Sequence, residues 1–136
     1  MQVIIDASVL FAALLTHGPT AWHLFSEEVE PFAPALLFEE IEEHKERILS
    51  RTKRTEAGLR KAMKAVKRRI KIIPEAEFLN YLEDAKKLLA DKDDAAYLAA
   101  CLATGLPLWS NDAGFKRQRR VTVYTTKELA GCLGLE

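Results

Sequence analysis

The segment 91–112, DKDDAAYLAACLATGLPLWSND, constrains the fold more than any other part of the chain. Its acidic start and Ala-rich middle predict a helix, and Gly105 stands where a left-handed C-cap would end that helix. The apolar run 106–109 then predicts a short buried strand, which is followed directly by Ser110, Asn111 and Asp112. A helix start and a strand end therefore both present carboxylates.

Strand and helix patterns alternate along the whole sequence. The predicted strands are 3–5, 30–33, 71–74, 106–109 and 121–124. Such alternation is typical of an α/β fold, here a three-layer sandwich in which helices cover both faces of a mostly parallel sheet of four or five strands. The length of 136 residues predicts one domain, 1–136, that buries about two-thirds of the surface of the unfolded chain.

Local signals predict where several helices begin. Thr20 and Thr126 are expected to cap helices, and Pro34 fits the first turn of a helix over 34–50. Thr55 begins another helix, which has an apolar stripe on one side and almost only Lys and Arg on the opposite side. His17, which has no partner at metal-ligand spacing, is predicted to lie in a loop.

The remaining sequence features indicate a cytoplasmic protein. No apolar run approaches the roughly 20 residues that span a bilayer, and the start of the chain has neither a basic segment nor a long apolar one, so neither a signal peptide nor membrane contact is expected. Cys101 and Cys132 are far apart in the sequence, and each is predicted to be a small core residue rather than a metal ligand.

The basic residues are segregated, although Lys plus Arg and Asp plus Glu number 20 each. Twelve basic residues fall between Lys45 and Lys71. Such clusters suit a polyanionic partner, but a solvated helix face is an equally open interpretation. A second basic cluster follows Asp112 and consists of Lys116, Arg117, Arg119 and Arg120.

Three acidic residues occupy positions where a carboxylate is costly. Asp94 precedes Tyr97 and Leu98 by three and four residues, which puts it on the apolar side of its helix. Glu40 lies on the apolar side of the helix over 34–50, and Asp6 ends the first buried strand. The alternative for Asp6 and Asp94 is that each caps a helix, which is also an alternative for Asp91 and Asp93. The alternative for Glu40 is that it lies at the edge of the apolar stripe and reaches solvent.

Four short motifs occur in a recognisable order along nearly the whole chain: Asp6-Ala7-Ser8, Pro34 through Glu40-Ile41, Asp94-Ala95 within DDAAYLAA, and Ser110-Asn111-Asp112. This order resembles that of PIN-domain proteins, the nuclease family that includes the toxins of VapBC toxin–antitoxin pairs. The doublet Asp93-Asp94 leaves the register open by one residue, and the following Ala95 favours Asp94.

The resemblance implies a Mg²⁺- or Mn²⁺-dependent endoribonuclease. Hard divalent cations prefer carboxylate oxygens and keep several waters, and one or two bound ions would activate water and polarise a phosphoryl oxygen. Converging carboxylates should also repel one another until metal enters. The predicted ligands are Asp6, Glu40, Asp94 and Asp112, with Asp91 as an auxiliary acid.

Further residues complete this hypothesis. Ser8, Ser110 and Asn111 are expected to orient waters or ligands around the ion. The basic clusters would hold the phosphates of RNA. The predicted contacts with the RNA backbone are Arg60, Lys64, Lys67, Arg68, Lys116 and Arg117. The resemblance further implies a homodimer and, for a toxin, a small antitoxin protein that covers the site.

Two alternatives belong to other functional classes. A PIN-like module could bind RNA or a protein without cutting. A receiver domain also uses strand-end acids and Mg²⁺, but it needs an acidic pair after the first strand and a Lys after the last, whereas only Asp6 follows the first strand here.

Overall fold

A single parallel sheet organises the computed structural model, which describes residues 1–15 and 18–135. The predicted loop position of His17 lies outside the described residues. The strands are β1 (Gln2–Ile5), β2 (Glu30–Pro34), β3 (Lys71–Ile73), β4 (Leu108–Trp109) and β5 (Val123–Tyr124). Their order is β3-β2-β1-β4-β5, and every neighbouring pair is parallel. The predicted α/β class is confirmed, with five strands that all run parallel.

Helices flank this sheet and connect its strands. They are α1 (Ala7–Leu15), α2 (Pro19–Leu24), α3 (Leu36–Glu43), α4 (Lys45–Arg51), α5 (Glu56–Arg69), α6 (Glu75–Phe78), α7 (Leu82–Leu88), α8 (Ala95–Thr104) and α9 (Thr126–Leu133). Short 3-10 turns lie at Leu79–Tyr81, Lys92–Asp94 and Ala113–Arg117. Among the described residues, no helix combines the length and the apolar character needed to cross a membrane.

The core lies where α8 packs on the centre of the sheet. Val3, Ile4 and Ile5 are fully buried, as expected for a parallel strand that is covered on both faces. Ala99 and Ala100 of α8 are also fully buried, and α8 contacts β1, β2 and β4. Small side chains let this helix approach the sheet closely, which fixes the position of its N-terminal residues beside the strand ends.

The chain changes direction within the sheet between β1 and β4. From β1 the chain adds β2 and then β3 on one side, and it returns to add β4 and β5 on the other. Connections that leave neighbouring strands toward opposite sides open a crevice at their carboxyl ends, where ligands bind in open α/β sheets. Asp6 follows β1 and Ser110 follows β4, so both residues stand at this crevice.

The helix predicted over 34–50 is wrong at its start and in its middle. Pro34 is the last residue of β2, paired with Ile73, and the helix begins only at Leu36. Proline suits the end of a strand as well as the first turn of a helix, so its presence does not distinguish the two. The helix is also interrupted at His44, and this bend lets both α3 and α4 contact α1.

Two predicted threonine caps are also wrong. Gly18 precedes α2, and Pro19 occupies its first turn, so Thr20 lies inside the helix. Thr125 rather than Thr126 caps α9, because Thr125 and Glu128 form a reciprocal capping box. The predicted start of α5 at Thr55 is confirmed, since its hydroxyl accepts a hydrogen bond from the Gly58 amide.

The two cysteines differ in environment. Cys101 is buried in α8, as predicted, and burial raises the pKa of its thiol. Cys132 is exposed on α9, so its predicted place in the core is wrong.

Two glycines give a matched test of backbone conformation. Gly105 ends α8 with φ of 74°, a left-handed conformation, whereas Gly131 lies inside α9. At either position an added Cβ would meet no atom of the described residues within 4 Å. Gly105→Ala should therefore lower the free energy of unfolding by ~1 kcal/mol through backbone strain alone. Gly131→Ala should raise it by ~0.5–1 kcal/mol through helix propensity.

Urea unfolding of the two variants beside the original protein measures both effects. The change from Gly to Ala should alter the free energy of unfolding in opposite directions at the two positions. A neutral or stabilising Gly105→Ala would contradict the left-handed cap.

Candidate active site

The buried carboxylate of Asp6 connects the ends of β1 and β4. Ser8 donates to its Oδ1 at 2.6 Å, and Ser110 donates to its Oδ2 at 2.5 Å. The two serine hydroxyls lie 3.4 Å apart and accept hydrogen bonds from the amides of Asn111 and Asp112, respectively. We call Ser8 and Ser110 the serine bridge. It fixes the orientation of the Asp6 carboxylate across the crevice.

The environment of Asp6 opposes its negative charge. Asp6 is only 4% exposed, and this burial raises the pKa of its carboxyl. The hydrogen bonds from Ser110 and Ser8 oppose the rise in pKa, and the charge of Asp112 adds to it. The Val9 amide donates to Oδ1 at 3.2 Å, so Asp6 also caps α1, as the alternative interpretation expected. Capping and participation in the crevice therefore coexist in one side chain.

Glu40 projects from α3 toward the same crevice. It is half-buried, and Tyr97 of α8 donates a hydrogen bond to its Oε1 at 3.0 Å. Burial raises the pKa of Glu40, Tyr97 opposes that rise, and the charge of Asp6 adds to it. The hydrogen bond with Tyr97 joins Glu40 to α8, the helix that packs on the centre of the sheet.

Asp94 is the half-buried member of the acidic cluster that precedes α8. Although it immediately precedes the helix, its side chain makes no capping hydrogen bond. Burial and the charges of Asp91 and Asp112 raise its pKa to about 7, with smaller contributions from Asp6 and Glu40. Asp93 is exposed, whereas Asp94 is half-buried and has its pKa raised by the other acids.

Asp112 and Asp91 lie at the exposed rim of the crevice. Asp112 accepts a hydrogen bond from the Gly114 amide at 2.9 Å, and Asp91 accepts one from the Asp93 amide at 3.0 Å. Each thus caps a 3-10 turn, while its charge raises the pKa of Asp94. Two cap hydrogen bonds hold these rim carboxylates in place.

Asn111 makes side-chain hydrogen bonds away from the acids. Its amide nitrogen donates to the Thr126 hydroxyl at 3.0 Å, and its Oδ1 accepts from the Thr126 amide at 2.9 Å. Thr126 in turn accepts from the Trp109 indole at 3.0 Å. The Asn111 side chain therefore joins the loop after β4 to the start of α9, and its backbone amide contacts Ser8.

We call Asp6, Glu40, Asp94 and Asp112 the acid site. Ion pairs within residues 1–15 and 18–135 join Lys71 to Glu30, Lys86 to Glu83 and Lys116 to Glu128, and none includes an acid-site residue. The expected repulsion is present, because the charges of neighbouring acid-site carboxylates help to raise the pKa of Asp6, Glu40 and Asp94. An excess of oriented negative charge without a cationic side-chain partner fits a hard divalent cation.

The acid-site carboxylates are neighbours rather than a closed cage. In the part of the chain that the structure describes, no three His, Cys, Asp or Glu side chains are close enough to hold a metal ion directly. Mg²⁺ usually keeps several waters and takes one or two carboxylates together with substrate phosphates. The donor set therefore suits a partly hydrated ion better than one fully enclosed by protein.

A cleft with basic residues along its edge lies between α3 and α5. Its volume is about 300 Å³, and Phe38, Ile41, Leu59 and Met63 form its apolar floor. The Lys67 ammonium lies 5.7 Å from the centre of the Phe38 ring. The helix α3, which lines one side of this cleft, also carries Glu40. The predicted RNA contacts on α5, all exposed, are Arg60, Lys64, Lys67 and Arg68.

The second basic cluster is only partly available for a ligand. Lys116 forms an ion pair with Glu128, while Arg117 is exposed. The pairing lowers the pKa of Glu128 to about 2, with help from hydrogen bonds to Thr125.

On α5, Arg69 donates to the carbonyls of Leu24, Ser26 and Val29, which makes it part of the structural framework.

Tyr97 and Thr126 are site residues that sequence analysis missed. Tyr97 was predicted to be part of an apolar stripe, and it is 1% exposed. Its hydroxyl is nevertheless the polar group that reaches Glu40, 57 residues earlier. A tyrosine within an otherwise apolar stripe was the available signal, since a buried phenol requires a hydrogen-bond partner.

Comparisons with known proteins agree with this architecture. The sequence matches the PIN domain family over residues 4–130. The fold is similar to the crystal structure of PAE2754 from Pyrobaculum aerophilum, with a TM-score of 0.65, 19% identity, and coverage of 98% of this chain and 90% of that one. No curated protein matches the chain by sequence. The chain belongs to the PIN domain family, whose members are generally nucleases.

Proposed function

We propose that this protein is a metal-dependent ribonuclease that hydrolyses RNA phosphodiester bonds at the acid site. The observation that carries the proposal is a buried Asp6, oriented by the serine bridge, beside three further carboxylates that have no ion-pair partner among residues 1–15 and 18–135. Asp6 follows β1 at the point where the strand order of the parallel sheet reverses, and such folds bind ligands there, which supports the proposal.

Each side chain of the acid site has a distinct task in this proposal. The Asp6 oxygens accept hydrogen bonds from two serine hydroxyls, and one Glu40 oxygen accepts from Tyr97. Both carboxylates are therefore oriented before an ion binds. Asp94 and Asp112 supply the remaining charge, with Asp91 as an auxiliary acid at the rim. A bound Mg²⁺ or Mn²⁺ would activate water and offset the charge that develops on the phosphate oxygens.

The basic surfaces support a polyanionic substrate. We infer that the cleft between α3 and α5 and the exposed Arg117 hold phosphates on either side of the cleaved bond. Arg60, Lys64, Lys67 and Arg68 would contribute through charge, whereas Lys116 would first have to leave Glu128.

The sequence resembles PIN-domain proteins, which include the toxins of VapBC toxin–antitoxin pairs. A cytoplasmic homodimer is proposed on that ground, as is a small antitoxin partner if the protein is a toxin. Sedimentation analysis of the purified chain tests the dimer independently of any catalytic measurement.

Incubation of the protein with a mixture of RNAs and either Mg²⁺ or Mn²⁺ tests the proposed reaction. Cleavage is expected to require the ion, to stop when a chelator is added, and to be lost in Asp6→Asn. That variant preserves side-chain size, and its folding is checked by thermal unfolding. RNA binding without ion-dependent cleavage in any substrate would instead identify a non-catalytic binding module.

A further inference from the structure

A second cleft, between α1 and α4, opens beside the serine bridge. Its volume is about 350 Å³, within the range of roughly 300–1,000 Å³ that is usual for small-molecule sites. The residues that shape it are Ser8, Phe11, Leu15, Arg47, Ile48 and Arg51. Ser8 also donates to Asp6, so the cleft and the acid site share a side chain. We call this cavity the α1–α4 cleft.

Helical spacing explains why these groups face one another. Ser8, Phe11 and Leu15 lie three and four residues apart on one face of α1, and Arg47 and Arg51 lie four apart on α4. Between the two arginines, Ile48 is fully buried and anchors α4 to the core. The cleft thus has an apolar interior and a cationic edge.

The ring of Phe11 is held in place at this cleft. It contacts the imidazole of His44, with ring centres 5.5 Å apart and planes tilted by 60°. It is also half-buried against the core, which restricts its rotation. A fixed aromatic ring in an apolar cleft favours a flat aromatic ligand, because stacking then costs little side-chain entropy.

The two arginines complement a phosphate. Arg47 and Arg51 are both exposed, and in the described part of the chain neither belongs to an ion pair. A guanidinium binds phosphate oxygens in a bidentate fashion. An aromatic heterocycle linked to a phosphate is a nucleotide, and a cleft that borders the acid site can hold a nucleotide while the next phosphate reaches Asp6.

We propose that the α1–α4 cleft is a nucleobase subsite, in which Phe11 stacks on an unpaired base and Arg47 and Arg51 bind its phosphate. The inference rests on the proposed ribonuclease function and adds a specificity-determining element to it. The base in this cleft selects which bond of the RNA chain lies at the acid site.

Abasic substitution tests the subsite directly. The probe is a fluorescein-labelled, single-stranded octaribonucleotide containing one cleaved bond, with the base removed at one position at a time. Removal at one position next to that bond should lower kcat/KM by ~10-fold, the size of one base–aromatic stacking interaction. In Phe11→Leu, which preserves most of the side-chain volume, the intact and abasic probes should be cleaved equally.

The arginines are tested by binding of the same probe. Arg47→Gln and Arg51→Gln should each lower affinity ~3-fold and reduce the slope of log affinity against log salt by about 1. Lys87→Gln, which removes an exposed charge on α7, is the matched control and should leave the slope unchanged. Equal effects of all three variants would assign the arginines to general electrostatics and overturn their role in the cleft.

Binding without divalent ions separates this inference from the proposed function. Fluorescence anisotropy in the presence of a chelator reports whether Phe11→Leu removes the difference between intact and abasic probes. Base-dependent binding through Phe11 without cleavage would retain the subsite and reject the nuclease. Two outcomes would retain the nuclease and reject the subsite. In the first, removal of a base lowers kcat/KM as much in Phe11→Leu as in the original protein. In the second, RNA is cleaved but removal of a base at any position leaves kcat/KM unchanged.

Discussion

Replacing Asp94 with asparagine should lower ion-dependent RNA cleavage by ~10²–10³-fold in kcat, the usual cost of removing one preorganised electrostatic group from an active site. Asparagine has nearly the same shape but no charge, so the variant loses the charge of a proposed metal ligand while the packing at the start of α8 is kept. The expectation follows from the half-burial of Asp94, its lack of a capping hydrogen bond, and its interaction with the other acids. Single-turnover cleavage of a labelled RNA in Mn²⁺ measures the effect.

The neighbouring Asp93 provides a matched control. Asp93→Asn makes the same chemical change one position earlier, on an exposed side chain. Its cleavage rate should remain within ~2-fold of the original, because an exposed charge is strongly screened by water and salt. An equal loss in both variants would indicate a general effect of charge, and a greater loss in Asp93→Asn would assign the metal ligand to Asp93.

The sheet could be predicted because each strand carries its own signal. Val3-Ile4-Ile5 and Leu108-Trp109 are apolar runs of the kind that parallel strands need on both faces. Alternation with helices then implies parallel pairing, whatever the exact ends of the elements. Strand order was not predictable, because the contacts that place β1 between β2 and β4 join residues far apart in sequence.

The predicted ends of helices were wrong where adjacent residues carried equivalent capping signals. Thr125 and Thr126 can each cap a helix, and only the glutamate three residues after Thr125 distinguishes them. The spacing of Thr125 and Glu128 in the sequence is therefore the signal that selects the right residue. The interruption at His44 had no comparable local signal in the sequence, and the helices on either side of it, α3 and α4, both contact α1.

The acid site was predictable in its residue types but not in its connections. Helix periodicity placed Glu40 and Asp94 on apolar faces, and the structure finds both half-buried. The hydrogen bond from Ser110 to Asp6 spans 104 residues, so only the adjacency of β1 and β4 creates it. Asn111 shows the limit of sequence proximity, since it follows Ser110 directly and yet its side chain contacts Thr126.

Ion binding by the acid site should weaken ~10-fold as the pH falls from 8 to 6. The pKa of Asp94 is about 7 because of burial and the neighbouring charges, so this carboxyl is mostly ionised at the higher pH and mostly protonated at the lower. A metal ion binds the ionised form, and the proton must leave before or during binding. The raised pKa values of Asp6 and Glu40 act in the same direction.

Calorimetric titration with Mn²⁺ measures both the affinity and the released protons, because the heat observed in buffers of different ionisation enthalpy reports proton release. Close to the midpoint of the Asp94 titration, binding should release about half a proton from this residue, and release should be smaller at pH 8. Asp94→Asn should bind more weakly at pH 8 and should lose the part of the pH dependence that Asp94 contributes. If the affinity of the original protein were the same at pH 6 and pH 8, protons would not compete with the ion, and the mutual repulsion of these carboxylates could not be what metal binding relieves.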